Sequence, residues 1–321
     1  MKRLSAMLIV CCLVLTLLAG CGNSRPQREE GKILVYASFY TVYDFAQKIG
    51  GDRAQVVCIM KPGAEPHDWE PTPQDRAGLE EADVFVYNGA GIDGWAESLL
   101  SGLDGKGLKI VKTTANVQLL QYDADSVTLG AGEEEDDHDH EDEAHDHGEN
   151  DPHTWLYPEN ARLEMRAIAD GLKEADPDNA EYYESNYSLW AAECGKLDEA
   201  YRQGLGPLTQ RSIVVSHAAY GYLCNAYGLE QVAVQGFSPD AEPSPKKMAE
   251  VIDFINENGV KAIFFEEAAS PAVAEAVSRE TGVEVLVLNP VESLGQEQQE
   301  AGEDYFSVME QNLETLLSVL A

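Results

Sequence analysis

The sequence predicts an α/β protein: two (β/α) lobes with mainly parallel sheets, bridged by one long backbone helix. Three observations carry that expectation. Short, continuously apolar runs alternate with helix-period segments, as strands buried on both faces do. The alternation occurs in two separate stretches, residues 32–112 and 208–321. Between them lies a helical region long enough to act as a spine.

The elements follow in order. KILVYAS is an apolar run and reads as the first strand, with Tyr40 to Ile49 following at helical spacing. AQVVCIM reads as a strand, PQDRAGLEEA as a helix, DVFVYN as a strand, GWAESLLSGL as a helix and LKIVK as a strand. From Thr113 to Asp151 the pattern gives way to an acidic, histidine-bearing run, whose lack of apolar side chains predicts disorder over 133–150. Glu159 to Ala175 is a helix stopped near Asp176-Pro177. Asn179 to Gly204 is the spine, its apolar face made of Tyr182, Tyr183, Leu189, Trp190, Cys194, Leu197 and Tyr201. The alternation resumes with RSIVVS, AAYGYLCNAYG, QVAVQ, PKKMAEVIDFINENG, VKAIFF, PAVAEAVSRETG and VEVLVLN, and ends in a helix from Tyr305 to Leu320. Gly228, Gly259 and Gly282 stand where helix C-caps favour glycine. The domain plan is therefore a first lobe over 32–175, a linking helix over 176–207 and a second lobe over 208–321.

The first 21 residues read as a targeting segment. Lys2 and Arg3 form a positive start, Leu8 to Ala19 an apolar stretch too short to span a bilayer, and small residues close it. Leu18-Ala19-Gly20-Cys21 resembles a bacterial lipobox, which implies cleavage before Cys21 and lipid on that cysteine. Residues 22–31 are polar and read as a tether. The expected location is extracytoplasmic, anchored by lipid to the cell membrane.

A formal net charge of −35 excludes nucleic acid as a partner, because phosphate binding needs a basic surface. It favours solubility and attracts cations. Cys58, Cys194 and Cys224 show no C-x-x-C spacing, which argues against a thiolate zinc site. They read as small buried side chains, with a Cys194–Cys224 disulfide as the alternative. Gly89-Ala-Gly91-Ile-Asp-Gly94 is a literal G-x-G-x-x-G, but the next strand ends in Lys112-Thr113-Thr114 with no acid. It reads as a tight turn rather than a dinucleotide site.

The histidines carry the chemistry. His138, His140, His145 and His147 lie in the acidic run and could gather metal loosely, or simply form a solvated stretch. The other three stand alone: His67 in PGAEPHDWEP, His153 in DPHTWLYP and His217 in VVSHAAYGYL. His67 and His217 follow predicted strands, and His153 leaves the first lobe. Ligands of open α/β sheets bind beyond such strand ends, so a cleft between lobes would bring the three together. Glu292, after VEVLVLN, is a fourth candidate, in competition with Glu65, Glu70, Asp151, Glu266 and Glu267. Three imidazoles and one carboxylate make a tetrahedral set for Zn²⁺. Pro66, Pro152 and Pro290 stiffen the loops that carry His67, His153 and Glu292.

PGAEPHDWEPTPQD, DPHTWLYPENAR, SHAAYGYLCNAYGL and IFFEEAASPAVAEAVSRETGVEVLVLNPVESLG together resemble the zinc-binding lipoproteins of bacterial ABC metal importers. The likeness covers residues 32–321 in order. It implies metal ligands at His67, His153, His217 and Glu292, in a cleft between two lobes bridged by a backbone helix. It implies Zn²⁺ as the transported ligand, an ABC permease and its ATPase as partners, and a monomer that is not an enzyme. Histidine at 217, where the manganese branch has a carboxylate, favours zinc over manganese. Departure from some zinc relatives at Glu65 leaves the fourth ligand open between Glu292, another acid and water. A zinc hydrolase and a surface adhesin are the rival classes. Neither HExxH nor a clustered nucleophile is present to support the first, and no sequence feature marks a host ligand for the second.

Overall fold

The computed structural model describes residues 28–102, 107–121, 150–237, 243–266 and 271–321. The signal segment with Cys21, most of the tether, Glu267 and the run bearing His138, His140, His145 and His147 lie outside the described residues. Among the described residues no helix is long and apolar enough to cross a membrane.

Two four-stranded sheets organise the chain. The first holds β1 (Ile33–Ala37), β2 (Ala54–Cys58), β3 (Val84–Tyr87) and β4 (Lys109–Lys112) in the order β2-β1-β3-β4, every pair parallel. The second holds β5 (Ser212–Val215), β6 (Glu230–Ala233), β7 (Ala262–Phe265) and β8 (Glu284–Val287) in the matching order β6-β5-β7-β8, again all parallel. Helices α1 (Tyr40–Gly50), α2 (Pro73–Leu79) and α3 (Trp95–Leu100) connect the first sheet. Helices α4 (Pro158–Ala175) and α5 (Ala180–Leu205) lead to the second sheet, which α6 (Gly221–Tyr227), α7 (Pro245–Asn258) and α8 (Ala272–Thr281) connect. Short α9 (Gln296–Ala301) and α10 (Tyr305–Leu320) close the chain.

The continuous apolar strands make sense once both sheet faces are seen to be covered. Side chains alternate across a strand. Val35 and Ala37, Val84 and Val86, Ile213 and Val215, and Ala262 and Phe264 all point into one central core. Leu34, Tyr36, Phe85 and Tyr87 face a separate outer cluster of the first lobe with Leu79 and Leu99. Val214, Val232 and Ile263 face another in the second lobe with Val251, Ile255 and Val277. The central core also takes Phe45 of α1, Met165 of α4, Tyr201 of α5 and Tyr305 and Leu316 of α10. Apolar packing therefore runs without interruption from one lobe to the other, which resists wide opening of the cleft.

The spine α5 is 26 residues long, about 39 Å at 1.5 Å per residue. It buries Tyr183, Cys194, Leu197, Tyr201 and Leu205. Leu189, expected on its apolar face, is 57% exposed. Five residues at about 100° each turn Leu189 roughly 140° away from Cys194, onto the outer side. Helix α6 starts at Gly221 rather than Ala218; before it, the Ala218 amide donates across to Gly236 O at 2.8 Å and the Ala219 amide to His217 O at 3.0 Å, so this stretch forms a non-helical turn. Helices α6, α7 and α8 end at Gly228, Gly259 and Gly282 with φ of 69°, 62° and 78°, the left-handed caps that the sequence predicts. Cys58, Cys194 and Cys224 are free thiols, so the alternative Cys194–Cys224 bridge is absent.

Candidate metal centre

Both sheets reverse their winding between the strands at their centres, β1/β3 and β5/β7. Such switch points leave a crevice beyond the strand ends. In the second lobe His217 follows β5 and Glu266 follows β7, so the crevice presents this pair. His217 Nδ1 is hydrogen-bonded to Glu266 Oε1, which also accepts from Ser216 Oγ at 2.9 Å.

His153 is positioned from its own peptide. Asp151 Oδ1 accepts from the His153 backbone N–H at 2.9 Å and stands 2.8 Å from its Nδ1. Asn88, just beyond β3, donates through Nδ2 to Pro152 O at 3.0 Å and so fixes the intervening peptide. The carboxylate of Asp151 lies so close to Gly221 that a Cβ there would meet Oδ2 well inside 3.0 Å. His67 sits in the loop after β2. Its backbone N–H donates to Glu65 Oε1 at 3.0 Å, and Gly63 N–H of the same loop crosses to Leu294 O at 3.1 Å.

These segments converge. His67, His153, His217 and Glu292 each offer one ligand atom, and the four atoms lie within 4.8 Å of one another. His67 Nε2 stands 3.2 Å from His153 Nε2 and 3.6 Å from Glu292 Oε1. Glu292 Oε1 stands 2.9 Å from His153 Nε2 and 3.4 Å from His217 Nε2. A tetrahedral zinc with ligands at 2.0–2.1 Å has edges of about 3.3 Å, so these four separations bracket that value. All four side chains are at most 3% exposed. His217 Nε2 and Glu292 Oε1 are buried without a well-aligned hydrogen bond. Orphaned polar atoms so deep are costly unless something binds them.

The electrostatics match a cation site. Burial alone would lower every imidazole here, and it does lower His67. For His153 burial is outweighed by Asp151 and Glu292, and its pKa rises. For His217 the charges of Glu266 and Glu292 overcome burial and raise it well above the ordinary range. Burial would raise Glu292, but the three imidazoles, His217 foremost, hold it well below the usual carboxylate range. Glu65, pushed up to about 8 by burial and then by Glu292, lines a cavity of about 300 Å³ beside the cluster together with Glu266 and Glu292.

Asp151 and Glu266 are the residues whose role sequence reasoning missed. Both stood as rival ligands, whereas their carboxylates face the Nδ1 atoms of His153 and His217. A carboxylate there fixes the tautomer and turns the Nε2 lone pair toward the centre. The two-residue spacing of Asp151 and His153 was a readable signal for one of them. The G-x-G-x-x-G loop binds itself: Asp93 accepts from Asn88 N–H and Gly89 N–H, both at 2.7 Å, and from Ser38 Oγ at 2.8 Å. Those amides are thus taken, and the following α3 has six residues.

Comparison with known proteins identifies the family. The family described as zinc-uptake complex component A periplasmic (ZnuA) matches residues 35–319. The zinc-binding lipoprotein AdcA of Streptococcus pneumoniae strain R6 is 42% identical over 322 aligned residues, covering 98% of this chain. The chain spans 60% of that relative's length. The high-affinity zinc uptake system protein ZnuA of Bacillus subtilis strain 168 is 37% identical, with 98% of this chain and 97% of that protein covered. The crystal structure of the Zn(II)-bound ZnuA-like domain of S. pneumoniae AdcA superposes with a TM-score of 0.75 at 39% identity, over 90% of this chain and 99% of that domain.

Proposed function

The chain belongs to the family of zinc-uptake complex component A, and from that premise we propose that it captures Zn²⁺ outside the cytoplasm for delivery to an ABC permease driven by its ATPase. The ligands are His67, His153, His217 and Glu292. One observation carries the reading: four buried donor atoms converge within 4.8 Å, two of them without a well-aligned hydrogen bond. Three nitrogens and one oxygen suit zinc better than manganese, which prefers oxygen-rich sets. Four protein donors fill a tetrahedron, so no position stays open to activate water. That favours capture and release over hydrolysis, and the protein is read as a binding component rather than an enzyme. The strongly acidic composition draws cations toward the cleft. Lipid on Cys21 would tether a monomer to the membrane, with His138, His140, His145 and His147 as a loose auxiliary collector.

The test is a calorimetric titration of metal-stripped residues 22–321, lacking 133–150, with Zn²⁺ and with Mn²⁺ in competition. One tight zinc site that manganese does not displace is expected. Manganese binding equal to zinc would overturn the metal assignment. A tight site untouched by His217→Ala would overturn the ligand set.

A further inference from the structure

Glu292 reaches the centre from a backbone segment of unusual construction. Val291, the residue before it, has φ 61° and is fully buried. A β-branched residue in the left-handed region is an outlier, and such strain persists only where the surroundings over-determine it. Here they do. Every backbone polar group from the Leu288 carbonyl to the Val291 carbonyl is met by a side chain. Tyr220 OH donates to Leu288 O at 2.6 Å. Asn289 N–H donates to Asn312 Oδ1 at 2.9 Å, and Asn312 Nδ2 returns a bond to Asn289 O at 2.7 Å. Trp155 Nε1 donates to Pro290 O at 2.7 Å. Val291 N–H donates to Asn289 Oδ1 at 2.8 Å, and the buried Thr41 hydroxyl donates to Val291 O.

The origin of these side chains matters. Tyr220 lies three residues after His217, and Trp155 two residues after His153. Thr41 comes from α1 in the first lobe and Asn312 from α10. The segment is thus braced by the neighbours of two other candidate ligands and by the opposite lobe.

We propose that Leu288–Val291 is a strained, cross-braced hub that presets the Glu292 carboxylate, and that Thr41 is a positioning residue acting through Val291. The proposal rests on the reading of Glu292 as a cargo ligand. With the Thr41 bond present, Val291 is held at positive φ and the Glu292 side chain points into the cluster. Without it, Val291 relaxes toward negative φ, the peptide before Glu292 turns, and the carboxylate leaves the position that completes the tetrahedron.

The experiment measures Zn²⁺ affinity by competition with a chromophoric chelator on metal-stripped protein, with thermal unfolding of the metal-free form as the check on folding. Thr41→Val, which keeps shape and removes the hydroxyl, should weaken zinc about tenfold, the scale of the strain it restrains. Thr41→Ser should restore binding to within about twofold. Glycine takes positive φ freely, so in a Val291→Gly background the same Thr41→Val change should cost less than about threefold. A merely structural Thr41 would lower thermal stability in both backgrounds alike and leave zinc affinity in place. If Glu292→Ala leaves zinc binding unchanged, the ligand reading falls and the hub with it. If Glu292→Ala weakens binding sharply while Thr41→Val stays within about twofold, the ligand reading stands and the hub alone is overturned. An equal Thr41→Val penalty in both backgrounds also overturns it. Should Thr41→Val fail to fold, Tyr220→Phe removes the Leu288 donor alone. It should likewise weaken zinc, and unchanged affinity there refutes the hub.

Discussion

Gly221→Ala tests the positioning of His153 without touching a ligand. Gly221 opens α6 at a φ that alanine adopts freely, so the backbone itself does not object. The obstacle is Asp151 Oδ2, which a Cβ would meet well inside 3.0 Å, and it must retreat by about 1 Å to reach ordinary contact. Its partner oxygen Oδ1 holds His153 N–H at 2.9 Å and Nδ1 at 2.8 Å. A displacement of that size carries both bonds beyond good hydrogen-bond range. His153 then loses the group that turns Nε2 toward the centre. Loss of such a carboxylate behind a metal-binding histidine costs about 10- to 100-fold in affinity, or about 1.4–2.7 kcal/mol. The assay is chelator competition for Zn²⁺, with unfolding curves to confirm the fold. Asp151→Asn should give a similar loss, and the double variant should add little, since both act through one bond. Gly195→Ala is the control: exposed in mid-α5 with nothing within 4 Å of a new Cβ, it should stabilise by about 1 kcal/mol and leave zinc affinity alone. Gly221→Ala binding zinc within about threefold of wild type, with Asp151→Asn impaired, would refute the clash argument.

Zinc affinity should fall steadily from pH 7.5 to 5.5. The carboxylates facing His153 and His217 raise their pKa values, so protons compete with zinc for these rings, and any proton on the ligating nitrogen must leave before it can bind. Calorimetry in buffers of different ionisation heat should show protons released on zinc binding, more of them as pH falls, and a flat affinity profile would exclude histidine ligation. Glu164 gives a separate, metal-independent signature. Burial pushes its carboxyl up to about 8, with Thr154 Oγ1 donating to it at 2.6 Å. The folded form therefore holds a proton that the unfolded chain has lost, so stability falls as pH rises from about 4.5 to about 8, by a few kcal/mol at most. Glu164→Gln should flatten that slope in urea unfolding, and an unchanged slope would assign the effect elsewhere. Deleting residues 133–150 should remove several weak zinc sites and keep one tight one. Loss of the tight site would show that the acidic run takes part in the main centre.

The fold class was legible because its cause is written in the strands. VFVY and SIVV are apolar at every face-alternating position or nearly so, which a sheet with one wet face would not tolerate. Apolarity alone does not place Leu189, which lies about 140° around the helix from Cys194 and so faces outward. The late start of α6 at Gly221 was hidden, since the turn before it is shaped by a contact of Ala218 with Gly236, distant in sequence. The histidines that the structure brings together stood out by their isolation, His67 and His153 in Pro-bearing loops and His217 directly beyond a strand. Glu266 and Asp151 could be seen as acids near strand ends, but not as partners of Nδ1. That distinction needs three-dimensional register, here Val215 beside Phe264, which sets Ser216-His217 next to Glu266. The bonds of Thr41 and Asn312 to the Glu292 segment span 250 and 23 residues and leave no local pattern to read.

Identical winding in the two lobes did not produce identical sites. Both sheets have the same strand order, so each offers a crevice at the same place. In the second lobe that crevice presents His217 and Glu266. In the first it is closed by Asp93, which takes the amides of Asn88 and Gly89 and the hydroxyl of Ser38. This filled crevice still serves the centre. Asn88, its backbone fixed by Asp93, carries the side-chain amide that holds Pro152 O and hence the peptide leading into His153. Thr113 Oγ1 donates to Asn88 Oδ1 at 3.1 Å, which sets that amide's orientation. One switch point thus supplies a candidate ligand directly, and the other braces the strand of chain that supplies one. The difference lies in the residues at the strand ends and not in the topology, which is why a fold of this type can be recognised from its alternation while its chemistry has to be read residue by residue.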